Sequence, residues 1–205
     1  MALTPGYGET PLFHDELSAL RPGVAAMLGD PITKAAVYDF EQGIQDTLAA
    51  EFLPAVADGS LPLEELLSDH FVRDLHARMY EELWNWGGQL RRLELNIGVA
   101  PEQIAVALRT SLDDIAFRWT HTDDWTPRQL GIAVHAEVVR IHPFVDGNGR
   151  STRFLADLVF AAAQEPTVAQ YNWDIDKGRY IDLLRAYDRH RNVDELAAFV
   201  GVEPT

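Results

Sequence analysis

Residues 142–153 read His-Pro-Phe-Val-Asp-Gly-Asn-Gly-Arg-Ser-Thr-Arg. A Gly-Asn-Gly turn here separates two stretches of helical apolar spacing, so the chain must leave one helix, turn tightly and enter another. The glycines let backbone N–H groups approach an anion with no Cβ in the way. The amides of the turn then sit at a helix N-terminus, where the helix dipole also favours negative charge. Around that turn stand His142, an imidazole that titrates near neutral pH, and Asp146, a hard oxygen of the kind Mg²⁺ takes together with substrate phosphates. Arg150 and Arg153 add planar guanidinium forks suited to phosphate oxygens. Together these groups suit a nucleoside triphosphate.

The rest of the composition narrows the field. The chain has 205 residues, 47% of them apolar, enough to bury a sizeable core. No apolar run is long enough to span a bilayer, and the first residues lack the basic start and apolar stretch of a secretory leader. With no cysteine there is no disulfide, thiol chemistry or thiolate metal site, and the cytoplasm is the expected compartment. The net charge of −15 repels phosphate backbones and anionic lipid, and the densest basic run is Arg91-Arg92. Direct nucleic-acid binding and membrane binding are therefore not expected.

Spacing of apolar residues predicts an irregular N-terminal arm over 1–32 containing a short helical piece, then a helix from Thr33 to Phe52. A loop is expected over 53–62, and a helix over 63–86 broken near Ser68, with Gly87-Gly88 ending it. Residues 89–98 alternate and suggest a short strand pair. Helices follow from Pro101 through Trp119, from Thr126-Pro127 to Ile141, from Arg150 to Ala163 and from Lys177 to Arg189, with a short one over 193–200. Residues 201–205 read as a tail. The class is all-α with a small β-hairpin.

The 142–153 segment resembles the HxFx[D/E]GNGRxxR signature of the Fic/Doc (Fido) family. All its fixed positions are met: His142, Phe144, Asp146, Gly147, Asn148, Gly149, Arg150 and Arg153. The stretches at 75–91, 96–104 and 179–200 also fit the family, with Gly87 where alanine is usual, and they are similar to the branch called mobile mystery protein B. The resemblance covers about 33–200. It implies a Fic-type helical bundle with a β-hairpin flap, and a protein adenylyltransferase that moves AMP from ATP to a Tyr, Ser or Thr hydroxyl of a target protein and of itself. It implies His142 as general base and Asp146 holding Mg²⁺ against the nucleotide. Gly147, Asn148 and Gly149 would line the anion hole, while Arg150 and Arg153 hold the β- and γ-phosphates.

Three further expectations follow from the resemblance. Residues 89–97, with Leu93, Glu94 and Leu95 at their centre, would form a flap that receives the target by strand pairing; the bland reading is a connecting hairpin. Glu41 is the nearest match to the family's inhibitory glutamate, which pairs with the second arginine, here Arg153. Val37 and Gln42 depart from that motif, so a solvated helix glutamate is the alternative. The branch implies a small DNA-binding partner protein encoded nearby, so inhibition by a separate partner also stays open. A Doc-like phosphotransferase would carry lysine where Gly149 stands. A catalytically silent interaction protein of a mobile element is the rival from another class. His76 and His135 read as packing residues and Phe144 as a core anchor, while Trp173 and Tyr180 read either as neighbours of the adenine or as core packing.

Overall fold

Side-chain caps open four of the described helices in the computed structural model, which describes residues 14–164 and 168–205. The arm expected over 1–32 lies partly outside these residues. From His14 it holds α1 (His14–Ala19) and α2 (Ala25–Leu28). The Thr33 hydroxyl accepts the Ala36 N–H at 3.2 Å and opens α3 (Lys34–Ala57). After α4 (Leu63–Leu66), Ser68 accepts the Phe71 N–H at 3.0 Å and starts α5 (Asp69–Tyr80). A 3₁₀ turn over Pro101–Gln103 leads into α6 (Ile104–His121). Thr126 and Gln129 form a reciprocal capping box at the head of α7 (Pro127–Ile141). Next come α8 (Asn148–Ala162), β1 (Ala169–Asn172), α9 (Lys177–His190), α10 (Asp194–Phe199) and β2 (Gly201–Pro204). Each such cap is worth about 1 kcal/mol.

Two helix ends differ from the sequence reading. Helix α3 runs past Pro54 to Ala57, because a proline in the last turn forfeits one hydrogen bond while Phe52 and Val56 stay buried on the core side. Helix α5 stops at Tyr80, six residues early, and residues 81–88 turn back on it. Gly87 returns so close that a Cβ would lie 2.6 Å from the Glu81 Cα, and Gly88 adopts φ +70°. Both places need glycine.

Helix α7 is buried on all sides, as expected of a helix with apolar residues round its circumference. Leu130, Val134, Val138 and Ile141 face one core shared with α3, α5 and α6, while Ile132, Ala133 and Ala136 face a second with α9 and α10. Helix α8 packs alongside and also serves both cores, through Leu155 and Leu158 on one side and Ala156 and Phe160 on the other. The two helices that flank the 142–148 loop are thus the best-packed elements of the molecule. Among the described residues, no helix is long and apolar enough to cross a membrane.

The fold is helical with one small antiparallel sheet, as expected, but the sheet lies elsewhere. β1 pairs with β2 in the register Ala169↔Pro204 to Asn172↔Gly201, so residues read as a tail form its second strand. Residues 89–97 make no strand pair of their own. They contribute one isolated antiparallel bridge, Leu90 with Phe144. The reason lies in Arg91, whose guanidinium takes up the carbonyls of Leu93 and Val99 that a hairpin ladder would otherwise pair.

Candidate active site

Helix α7 ends on His142, whose backbone is left-handed at φ 53° and ψ 62°. For a non-glycine residue this costs on the order of 1–2 kcal/mol. It is held from both sides: the His142 N–H donates to Val138 O at 2.9 Å, and its carbonyl accepts from Arg91 Nε at 2.7 Å. The ring is half-buried at the mouth of a cleft. Burial, then the Arg91 guanidinium, push its pKa below the usual imidazole value, against smaller opposing effects from the Val139 backbone and Asp146. The imidazole is therefore neutral at pH 7, with a lone pair able to take a proton.

The loop beyond His142 is stapled from within. Phe144 is fully buried and stacks on His76 at 3.5 Å between ring centroids. The Asn148 amide closes on the Phe144 backbone, accepting its N–H at 3.0 Å and donating to its carbonyl at 2.9 Å. His76 bridges the other side: Nδ1 accepts the Gly88 N–H at 3.0 Å, so Nε2 carries the proton and donates to Asp146 O at 3.0 Å. Burial pushes the His76 pKa down to about 3, which keeps that tautomer neutral. Gly147, at φ +75°, lies against Tyr80, whose ring a Cβ would meet at 2.5 Å. These contacts fix the first turn of α8, whose leading amides have no intrahelical acceptor.

The cleft measures about 960 Å³, and His142, Asn148, Gly149, Arg153, Trp173 and Tyr180 line it. Arg140, Lys177 and Arg185 add positive charge to its wall, against one carboxylate, Asp188. In a chain of net charge −15 this is a local reversal of sign. Glu137 holds the Arg140 guanidinium at 2.5 and 3.0 Å, and also accepts from Ser111 and Tyr187, each at 2.8 Å.

Arg150 does not line this cleft. It faces a separate cavity of about 270 Å³ with Tyr38, Glu41 and Tyr80. Three residues along a helix turn the direction by about 300°, so side chains at 150 and 153 diverge by about 60°. Arg150 accordingly points toward α3 and α5, whereas Arg153 points toward Trp173, 6.0 Å from that ring, and Tyr180. Glu41 is 5% exposed, not solvated, and its carboxylate accepts from Trp84 Nε1 at 2.8 Å and from Arg150 Nη1. The glutamate expected against Arg153 is instead seated on Arg150.

The far wall of the cleft consists of residues that the sequence left between a place near the adenine and core packing. Trp173 and Tyr180 both line it, Trp173 donating to half-buried Asp157 at 2.9 Å and Tyr180 lying 2.5 Å from His135 Nε2. Burial raises the Asp157 pKa to about 7, although the Trp173 N–H and Arg153 pull it down. The available signal was two aromatics beyond Arg153, a pattern that a packed core produces equally well.

Asp146 is exposed, with Oδ1 accepting the Gly147 N–H at 2.6 Å. No group of three or more His, Asp or Glu side chains is placed to hold a metal among the described residues. A single carboxylate fits Mg²⁺, which draws its remaining oxygens from substrate phosphates and water. Leu93, Glu94 and Leu95 are all exposed, Leu93 at 72%, on the loop that follows Arg91.

The Fic/DOC family model matches residues 66–160, from the end of α4 to α8. A relative from Drosophila ananassae, "Protein adenylyltransferase Fic", is 32% identical over 84 residues, covering 40% of this chain. The chain spans 17% of that relative's length. Among solved structures, a Fic-domain-containing signaling protein from Bacteroides thetaiotaomicron superposes with a TM-score of 0.62 at 22% identity, over 82% of this chain and 65% of that one. BepC from Bartonella tribocorum, solved with bound AMPPNP, gives 0.53 at 14% identity, over 78% of this chain and 87% of that one. These two likenesses bear on the fold alone.

Proposed function

We propose that the chain is a protein adenylyltransferase: it moves AMP from ATP to a hydroxyl of a target protein. The observation that carries this reading is the cleft in which a neutral His142, the free amides at the head of α8 and Arg153 meet within a cationic wall. The names of relatives with adenylyltransferase activity and of a neighbour that binds AMPPNP support it.

In this mechanism the triphosphate lies along the N-terminal amides of α8, at Asn148 and Gly149, with Arg153 on its distal phosphates. His142 Nε2 or Nδ1 accepts the proton of the incoming Tyr, Ser or Thr hydroxyl. The hydroxyl oxygen forms a bond to the α-phosphorus, the bond from that phosphorus to the bridging oxygen breaks, and pyrophosphate leaves. Such transfers depend mainly on position and charge stabilisation. Asp146 would hold Mg²⁺, which when bound neutralises phosphate charge. The exposed loop after Arg91, with Leu93, Glu94 and Leu95, offers backbone for an extended target segment at Glu94 and Leu95, while Arg91 holds the Leu93 carbonyl. A domain limit near 33, with β2 carrying the domain past 200, and a cytoplasmic setting belong to the same reading, the latter supported by the absence of cysteine.

The test is incubation of the purified chain with ATP labelled at the α- or the γ-phosphate. Label from the α-position alone is expected on protein. Label from the γ-position alone supports the phosphotransferase, against which Gly149 already stands. Label from neither supports the silent interaction protein.

A further inference from the structure

Arg91 is 3% exposed and makes no ion pair with a carboxylate among the described residues. A buried guanidinium left without an anion must spend its donors on something, since an unsatisfied buried charge is costly. Here it spends them on carbonyls from three places. Nε donates to His142 O at 2.7 Å, Nη1 to Leu93 O at 2.9 Å, and Nη2 to Val99 O. The backbone reinforces the same junction: Arg91 N–H donates to Pro143 O at 2.9 Å and Val99 N–H to Ile141 O at 3.2 Å.

One planar fork therefore closes the base of the exposed 92–98 loop and grips the residue that carries the imidazole. Gly98 fits the junction so closely that a Cβ would lie 2.7 Å from both Arg91 Nη2 and His142 Cβ. Five donors in a fixed plane can serve carbonyls on two chain segments at once; an ammonium offers a point charge with no such geometry.

We propose that Arg91 is a positioning residue that couples the base to target docking: by tying the His142 carbonyl to both ends of the 92–98 loop, it holds the imidazole and the segment that receives the hydroxyl in one register. This rests on the adenylylation reading for its activity arm. The geometric tie does not. Arg91 touches neither nucleotide nor reacting atoms; it acts through His142 and the loop.

The experiment compares wild type, Arg91→Lys, Arg91→Met, His142→Ala and the Arg91→Met/His142→Ala pair. Amide hydrogen exchange is read first and needs no activity. Protection at Arg91 and Val99 should fall in both Arg91 variants while α7 and α8 stay protected. Unchanged protection at those two amides overturns the clamp. Transfer from α-labelled ATP is read second. Both Arg91 variants should lose kcat by about 10²-fold, on the scale of a misplaced base, and should show a higher KM for a target peptide with ATP's KM within threefold. Arg91→Lys, which keeps the charge, serves if Arg91→Met does not fold, and its full activity overturns the proposal. The pair should be no slower than His142→Ala alone, since Arg91 works through that base; a further loss equal to the single Arg91→Met effect also overturns it. A wild-type chain that transfers nothing overturns the adenylylation reading instead, and the exchange arm still decides the clamp.

Discussion

The Glu41 carboxylate is buried against Arg150, the first arginine of the 142–153 segment, and is braced there by the Trp84 indole. A glutamate on Arg153 would occupy the place of a terminal phosphate. One on Arg150 leaves the nucleotide cleft open, because Arg150 lines a separate cavity and not the cleft. Glu41→Gly should therefore keep transfer from α-labelled ATP within about threefold of wild type, where a blocking glutamate would give tenfold or more, one decade per ~1.4 kcal/mol. Its cost should be in stability. The Arg150 side chain is 31% exposed, so solvent screens part of the pair, and the loss is about 1–3 kcal/mol. Thermal melting should register this as a drop of several degrees. A tenfold rise in labelling would return Glu41 to an inhibitory role.

Replacement of His142 by alanine should lower transfer by about 10²–10⁴-fold while ATP binding and melting temperature stay close to wild type. The phosphate contacts come from other groups, and the left-handed backbone at 142 is held by main-chain bonds that alanine keeps. The wild-type acid limb is informative too. The imidazole must be neutral to act, and its pKa lies below the usual 6.5, so activity should persist on acidification past that value. An acid limb at or above 6.5 would contradict the environment described for this ring.

The helix starts and the 142–153 site were legible because each rests on local chemistry: Thr33, Ser68 and Thr126 bond to amides within three residues, and Gly147 is needed in place. What escaped depended on side-chain direction or distant partners. That Arg150 and Arg153 serve separate cavities follows from what packs beside α8, α3 with Glu41 next to Arg150 and the Trp173 segment next to Arg153. The small sheet pairs residues 169–172 with 201–204, a long-range choice that four-residue strands hardly announce. Residues 89–97 alternate like a strand, yet Arg91 takes the carbonyls that pairing would use.

Asp146→Asn should weaken Mg²⁺-dependent transfer and shift the Mg²⁺ titration to higher concentration, with part of the loss recovered at saturation. An amide oxygen is a poorer partner for a hard divalent cation. The substitution spares the fold, because the His76 bond goes to the Asp146 backbone carbonyl and the Gly147 N–H can still meet an amide oxygen. An unaltered Mg²⁺ titration would reduce Asp146 to a turn residue.

Stability should fall as the medium is acidified below about pH 6.5, and the buried histidines set the sign. His76 and His135 are both held neutral, with pKa values pushed down to about 3 mainly by burial. Between 6.5 and 3 the unfolded chain binds protons that the folded chain refuses, so the stability they contribute is present above 6.5 and drains away toward 3. Asp157 works in the opposite sense. Its pKa is raised to about 7, so the folded chain keeps a proton that the unfolded chain has released, and stability falls as pH rises from 3.8 toward 7. Two histidines against one aspartate leave a net uptake of about one proton on unfolding near pH 5, and His142, also lowered, acts in the same sense as the two histidines. One proton corresponds to about 1.4 kcal/mol per pH unit, measurable by urea unfolding at pH 5.0, 5.5 and 6.0. Asp157→Asn removes the opposing carboxyl while its amide oxygen still accepts from Trp173, so the slope should steepen by about one proton. An unchanged slope in that variant would mean that Asp157 titrates as an ordinary surface carboxylate, and its burial beneath Trp173 would have to be given up.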